Sequence, residues 1–148
     1  MYLTQKRKGV RIVLADPPGS VLFDAITSGQ VPTTRSGSSI TEGIGQGRIT
    51  ANLKGAPITE AVRIDDEESL RMTFHLLVRE GIFVGVSSGL NVAAAVREAR
   101  RLGPGHTIVT ILCDSAARYQ SRLFSRSWLE SKKLLHCLDA SHLRLLSD

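Results

Sequence analysis

Residues 83–113, "FVGVSSGLNVAAAVREARRLGPGHTIVTILC", alternate between two kinds of pattern. The apolar run "FVGV" at 83–86 predicts a short strand, and 87–103 has the spacing of a helix that ends at Gly-Pro. "TIVTILC" at 107–113 is a near-continuous β-branched run, which is typical of a central parallel strand covered on both faces. A strand, a helix and a strand in succession predict an α/β fold with a mostly parallel sheet flanked by helices.

Two helices are predicted from their caps and their apolar faces. The helix at 65–81 opens with acidic residues, and Asp65 with Glu68 forms a candidate capping pair. Ser87 or Ser88 is the candidate cap of the second helix. The apolar face of the first helix comprises Leu70, Phe74, Leu77 and Val78, and that of the second comprises Val92, Ala95, Val96, Ala99 and Leu102.

The first half of the chain predicts two strands separated by a long loop. "VRIVLADPPGS" at 10–20 predicts a short buried strand that stops at Asp16, because prolines follow. "ITEAVRI" at 58–64 alternates in part and predicts an edge strand. Residues 26–48 are rich in Gly, Ser and Thr without either period. A loop of this length in a compact domain is usually functional.

Composition limits the classes of function. The 148 residues suit one domain, and the net charge of +5 comes without aromatic residues between the basic ones, which argues against nucleic-acid binding. No apolar stretch is long enough for a membrane span, so the cytoplasm is the expected compartment. Cys113 and Cys137 are too few for a disulfide framework or a zinc site, so no metal is expected. Cys113, inside an apolar run, is expected to be buried.

Ser115 lies where the predicted strand at 107–113 ends and a helical segment begins. Ligands of open α/β sheets gather at such positions, and the loop at 36–47 and "VSSG" at 86–89 lie at equivalent ones. A nucleophile elbow would need glycine at positions 113 and 117, which hold Cys and Ala, and none of the four histidines is near this turn in sequence. Ser115 is therefore a helix cap or a ligand contact.

Four segments together resemble the cysteine synthase (O-acetylserine sulfhydrylase) and cystathionine β-synthase family, of pyridoxal-phosphate fold type II. The similarity covers roughly residues 2–133. The segments are "VRIVLADPPGS" (10–20), "GSSITEGIGQGR" (37–48), "EGIFVGVSSGLNVAAAV" (80–96) and "ILCDSAARYQSRLF" (111–124).

The resemblance implies an incomplete fold, the C-terminal part of the family's large domain, and a set of cofactor contacts. Ser115 matches the serine that hydrogen-bonds the pyridine nitrogen of pyridoxal 5'-phosphate, and Gly43, Ile44 and Gly45 match the glycine loop beside the ring. A serine is too weak an acid to protonate pyridine, so the ring nitrogen stays neutral. That electronic state suits β-elimination and replacement. Ser87 and Ser88 match a turn behind the site, as caps or as supports of the cofactor contacts.

Three departures from the family pattern bear on activity. The family's Schiff-base lysine and phosphate loop belong to a segment with no match here, so we expect no catalytic residue in this chain. Ala116 stands where the family commonly has glycine. Residues 134–148 do not resemble the family's end, so we expect a truncated domain at 1–133 and a divergent tail. The five lysines, none in a matching motif, are Lys6, Lys8, Lys54, Lys132 and Lys133.

The activity that the resemblance implies is the replacement of the acetoxy group of O-acetyl-L-serine by sulfide, which gives L-cysteine. The isolated chain is expected to be inactive. Two alternatives remain: a cystathionine β-synthase-like lyase, and a non-catalytic fragment that acts through subunit association. The implied partners are an amino-acid substrate, a second subunit in a homodimer, and serine acetyltransferase; nucleic acid and membranes are not expected.

Overall fold

Two short parallel strands form the sheet in the computed structural model, which describes residues 2–34 and 37–148. Strand β1 is Val13–Asp16 and β2 is Glu60–Arg63. They pair along their whole length, with Val13 opposite Glu60 and Asp16 opposite Arg63. Both predicted strands are thus confirmed. β1 ends at Asp16 because Pro17 has no backbone N–H to continue the ladder.

Helices surround this sheet, and the predicted α/β class with helices flanking a parallel sheet is confirmed. The α-helices of the described residues are α1 (Tyr2–Lys6), α2 (Leu22–Ser28), α3 (Asp66–Glu80), α4 (Val86–Leu102), α5 (Gln120–Leu123), α6 (Arg126–Ser131) and α7 (Ala140–Leu143). Short 3-10 helices are formed by Ala51–Leu53, Ala116–Tyr119 and Leu135–Cys137.

The two long helices begin differently. Asp65 caps α3 as predicted, since its carboxylate accepts a hydrogen bond of 2.8 Å from the backbone N–H of Glu68. The predicted cap of α4 at Ser87 or Ser88 is wrong, because the helix begins at Val86 and its cap is Gly85, two residues before Ser87. Both serines are buried in the first turn.

The core consists of two groups of buried side chains. The first core cluster is Leu70, Phe74, Val86, Leu123, Leu129, Leu134, Cys137 and Leu138. The second core cluster is Ile64, Leu90, Ala93 and Ala94. Leu70 and Phe74 are buried on α3 as predicted, whereas Val78 is 36% exposed.

The predicted apolar face of α4 is wrong. Leu90, Ala93 and Ala94 are buried, and they lie on the other face of this helix. Ala99, on the predicted face, is exposed. Small apolar residues occur on several sides of α4, so the spacing alone does not distinguish the faces. The close packing of α3 against Gly89 decides between them.

The predicted strands at 83–86 and 107–113 are also wrong. From the first segment only Val84 pairs, in a single antiparallel bridge with Ser115, and the seven described residues of the second form no helix or strand. Val109 is 84% exposed, and Cys113, expected to be buried, is exposed. A strand exists only with a neighbour that pairs its backbone, and the described chain supplies none at 107–113.

The loop predicted at 26–48 starts slightly later, because α2 continues to Ser28 and ends at Gly29 with a φ of 72°. Its described residues then form no helix or strand before Ala51–Leu53. Arg35 and Ser36, within the predicted loop, lie outside the described residues.

Residues 134–148 pack onto the rest of the chain. Leu134, Cys137 and Leu138 belong to the first core cluster, and Ser147 forms a parallel bridge with Ser125. This segment therefore contributes to the core. The division into 1–133 and a tail stays a prediction.

Candidate functional site

Ser115 caps a short helix and leaves its hydroxyl proton available. Its Oγ accepts a hydrogen bond of 3.2 Å from the backbone N–H of Ala117, at the start of the 3-10 helix Ala116–Tyr119. The side chain is exposed, and no described residue accepts its proton. Ser115 is thus a cap, as one reading of the sequence predicted, and it can still donate a hydrogen bond to a ligand.

The residue before it, Asp114, holds the turn in place. One carboxylate oxygen accepts a hydrogen bond of 2.5 Å from the Tyr119 hydroxyl, and the backbone carbonyl accepts one of 2.9 Å from the N–H of Gly85. The hydrogen bond to Asp114 and partial burial raise the pKa of Tyr119. The other oxygen, Oδ1, is buried and has no partner among the described residues.

Gly85 is required for this arrangement. A Cβ atom at position 85 would lie 2.8 Å from Asp114 Oδ1 and 2.8 Å from Cε2 of Tyr119. Both distances are far below a normal contact, so only glycine lets the start of α4 approach the Ser115 turn this closely. Sequence reasoning missed Gly85 and Tyr119, although a glycine directly before a helix was a visible signal.

Ser88 supports the same turn from inside α4. Its side chain is fully buried, and its Oγ accepts a hydrogen bond of 2.8 Å from the backbone N–H of Cys113. Through this hydrogen bond Ser88 can support the Ser115 turn, which is the supporting role that the sequence predicted for it. Asn91 adds a second tie, because its side-chain amide donates to the carbonyl oxygen of Ile111 at 3.0 Å.

The glycine loop is anchored at the end of β1. Gly45 has a φ of 79°, and a Cβ there would lie 2.9 Å from Cγ of Pro17, so the loop requires glycine at this position. Ile44 packs against the second core cluster, and the carbonyl of Gln46 accepts a hydrogen bond from Val21. Gly43 has a φ of 76° with no atom near the position of a Cβ, so its backbone is open to solvent on that side.

The loop and the Ser115 turn meet beside the start of α4. Ile40 and Glu42, just before Gly43, line a small depression together with Tyr119 and Arg122, which follow Ser115. Glu42 and Arg122 also form an ion pair. Val86, Ser87, Leu123 and Trp128 complete the lining. The depression therefore brings residues just before the glycine loop next to residues that follow Ser115, while Ser115, Gly43, Ile44 and Gly45 themselves do not line it.

Within the described residues, no helix has both the length and the apolar character needed to cross a membrane.

Comparison with known proteins identifies the family of the chain. The pyridoxal-phosphate dependent enzyme family matches residues 1–114. The chain is 53% identical over 140 residues to cysteine synthase 1 of Emericella nidulans, covering 93% of this chain and 38% of that protein. It is 53% identical over 137 residues to cysteine synthase 1 of Neurospora crassa, covering 90% and 36%.

A solved structure, the O-acetylserine dependent cystathionine beta-synthase from Helicobacter pylori, aligns with a TM-score of 0.70 and 34% identity. The alignment covers 82% of this chain and 37% of that structure. The chain thus spans a little more than a third of the length of the relatives that it matches. The chain belongs to the family of pyridoxal-phosphate dependent enzymes.

Proposed function

We propose that this chain carries the pyridine-binding part of a cysteine synthase, which converts O-acetyl-L-serine and sulfide into L-cysteine and acetate. The observation that carries the proposal is the 53% identity to cysteine synthase 1 over almost the whole chain. The exposed Ser115 hydroxyl, with its proton available, supports it.

The residues present fit the pyridine end of the cofactor. Ser115 offers a hydroxyl donor at an exposed turn whose position is set by Asp114 and Gly85. The open backbone of Gly43 allows a planar ring to approach, since no side chain projects there. When bound, pyridoxal phosphate supplies the electron sink that lets the acetoxy group leave the β-carbon.

Within this scheme each residue has a limited task. Ser115 donates to the ring nitrogen without protonating it, because the pKa of an alcohol lies far above that of pyridinium. Asp114 and Tyr119 hold the turn through their 2.5 Å hydrogen bond, and Ser88 holds the backbone of Cys113 from the other side. A donor held in this way would orient the ring.

The test is a chimera in which this chain replaces the matching segment of the Emericella nidulans cysteine synthase 1. We expect the chimera to form cysteine from O-acetylserine and sulfide. Ser115→Ala in the chimera lowers kcat/KM by about tenfold, since one hydrogen bond of about 1.4 kcal/mol is lost. Ser121→Ala, an exposed serine on α5, is the matched control and leaves kcat/KM unchanged.

Two results oppose the proposal. If the chimera makes cystathionine in preference to cysteine, the chain belongs to a cystathionine β-synthase, the alternative that the Helicobacter pylori relative represents. If Ser115→Ala and Ser121→Ala behave alike, Ser115 makes no cofactor contact.

The 148-residue chain alone, given pyridoxal phosphate and both substrates, makes no cysteine above a blank, because none of its lysines lies in the family's Schiff-base motif.

A second candidate, subunit association without catalysis, is favoured by the exposed apolar segment 107–113. Val109 is 84% exposed and Ile111 is 66% exposed, and such residues pack when another polypeptide adds a strand beside them. A pull-down with full-length cysteine synthase tests this role. Capture by the wild-type chain, weakened in Val109→Lys, supports it, and equal capture by both opposes it.

The finer assembly follows from the same proposal. The complete enzyme works in the cytoplasm as a homodimer that binds serine acetyltransferase. Light scattering on the chimera gives the subunit number, and co-purification with serine acetyltransferase tests the partner. Scattering at the mass of a monomer contradicts the homodimer.

A further inference from the structure

Three side chains with metal-binding atoms converge where residues 134–148 meet α3. They are Glu67 in the first turn of α3 and His136 and Cys137 at the end of the 3-10 helix Leu135–Cys137. Among the described residues this is the group whose ligand atoms all lie within 4.8 Å of one another. None of the three is a proposed cofactor contact.

Two distances within this cluster are close to the edges of a zinc tetrahedron. Zinc bonds of about 2.0–2.1 Å to nitrogen, 2.0–2.2 Å to oxygen and 2.3 Å to sulfur place tetrahedral ligand atoms about 3.3–3.6 Å apart. His136 Nε2 lies 3.2 Å from Glu67 Oε1 and 3.7 Å from Cys137 Sγ. Two of the three distances are thus close to the expected length, and the ligand atoms of Glu67 and Cys137 lie within 4.8 Å of each other.

The surrounding contacts position the ligand-bearing residues, and the side chains of His136 and Glu67 remain exposed. Arg71 binds the other Glu67 oxygen at 3.4 Å and donates from Nε to the Cys137 carbonyl at 3.3 Å. Cys137 is anchored in the first core cluster at 7% exposure, whereas the His136 side chain is 61% exposed. The open side toward solvent leaves room for a water molecule as a fourth ligand.

We propose that Glu67, His136 and Cys137 bind one Zn²⁺ ion, with water in the fourth position. A thiolate, an imidazole and a carboxylate form a donor set that suits zinc among the available divalent ions. The ion would join the start of α3 to the segment 134–148. The positive charge of Arg71 opposes the cation, so the site is weaker than a closed structural zinc site.

This proposal departs from the sequence-based expectation of no metal. His136 and Cys137 are adjacent, and Glu67 precedes them by about seventy positions, so no ligand spacing marks the site. Only the packing of 134–148 against α3 brings the three atoms together.

The test uses the full chain, stripped of metal with a chelator and titrated with Co²⁺ and then Zn²⁺. We expect one equivalent of Co²⁺ to give a thiolate-to-cobalt absorption band that Zn²⁺ abolishes, and Zn²⁺ to raise the Tm. Cys137→Ser, His136→Gln and Glu67→Gln each weaken Zn²⁺ binding by more than about tenfold, because even supporting residues of a metal ligand contribute that much.

Two variants serve as controls. Cys113→Ser removes the other thiol of the chain, which is exposed and not part of the cluster, and His75→Gln removes a histidine that lines the same surface depression as Glu67. Both keep the cobalt band and the zinc affinity. Circular dichroism confirms the fold of each variant, and His136→Gln, at an exposed position, keeps the test valid if Cys137→Ser unfolds.

Binding without a thiolate band, binding that Cys113→Ser abolishes, or absence of a one-to-one complex each overturns the proposal. These measurements need no cofactor and no substrate. Failure of the zinc site therefore leaves the proposed cysteine synthase role to its own test.

Discussion

Substituting Gly89 by alanine tests the contact on which the α3–α4 packing depends. A Cβ at position 89 would lie 2.1 Å from Thr73 Oγ1 and 2.4 Å from the carbonyl oxygen of Ser69. Rotation of Thr73 relieves the first overlap, but the second is with backbone. Restoring an ordinary contact of 3.4 Å moves the two helices apart by about 1 Å, the difference between 3.4 and 2.4.

The free-energy change has two opposing parts. Alanine in place of glycine within a helix normally stabilises by about 1 kcal/mol. Overpacking of a tight interface costs about 1–3 kcal/mol, and separation of α3 from α4 also loosens Leu70 and Leu90, each fully buried. Because the overlap is with backbone, we expect the upper end of this range to apply. Gly89→Ala is then destabilised by about 2 kcal/mol.

Urea unfolding followed by circular dichroism measures this change. Arg100→Ala, an exposed position on the same helix, is the control and shifts the midpoint little. The double variant Thr73→Ala/Gly89→Ala stays unstable, because the Ser69 carbonyl remains in place. Wild-type stability in Gly89→Ala, or full rescue by Thr73→Ala, would refute the reasoning.

Two further predictions concern buried polar groups. Asp16 is 1% exposed, and its burial is the main cause that raises its pKa. Above pH 3.8 the folded chain therefore binds more protons than the unfolded chain. The folded chain consequently loses stability as the pH rises toward the raised pKa. Asp16→Asn lacks this loss, and its urea midpoint relative to wild type should increase from pH 3.5 to pH 7; a constant or falling difference contradicts the prediction. Ser88→Ala removes the acceptor of the Cys113 N–H and should lower the free energy of unfolding by about 1 kcal/mol. Amide hydrogen exchange at Cys113 should become faster. Unchanged exchange would show that other contacts hold this segment.

The parts of the fold that follow from the sequence are those set by neighbouring residues. The cap at Asp65 and the end of β1 before Pro17 depend on groups within a few positions, and both are as predicted. The buried side of α4 depends instead on which partner packs there. Its side chains are small on more than one face, so the decision comes from the approach of α3 at Gly89.

The segment 107–113 shows how a correct pattern can lead to a wrong element. Its β-branched residues favour extended backbone, but a strand needs hydrogen-bond partners on a neighbouring chain segment. In the described chain α4 side chains bind two backbone groups of this segment: Ser88 accepts from the N–H of Cys113, and Asn91 donates to the carbonyl oxygen of Ile111. Without a paired neighbouring strand, the apolar side chains of Val109 and Ile111 are exposed.

The same distinction explains the candidate site. The position of Ser115 after an apolar run and its family motif are both local features, and the sequence alone therefore points to this residue. The approach of Gly85 to Asp114 and Tyr119 joins two elements about thirty residues apart in the chain. The spacing of residues in the sequence does not predict this contact. Since that approach holds the turn that carries Ser115, a Gly85→Ala change should also disturb the site. The donor comes from a motif, but its position comes from the tertiary contact.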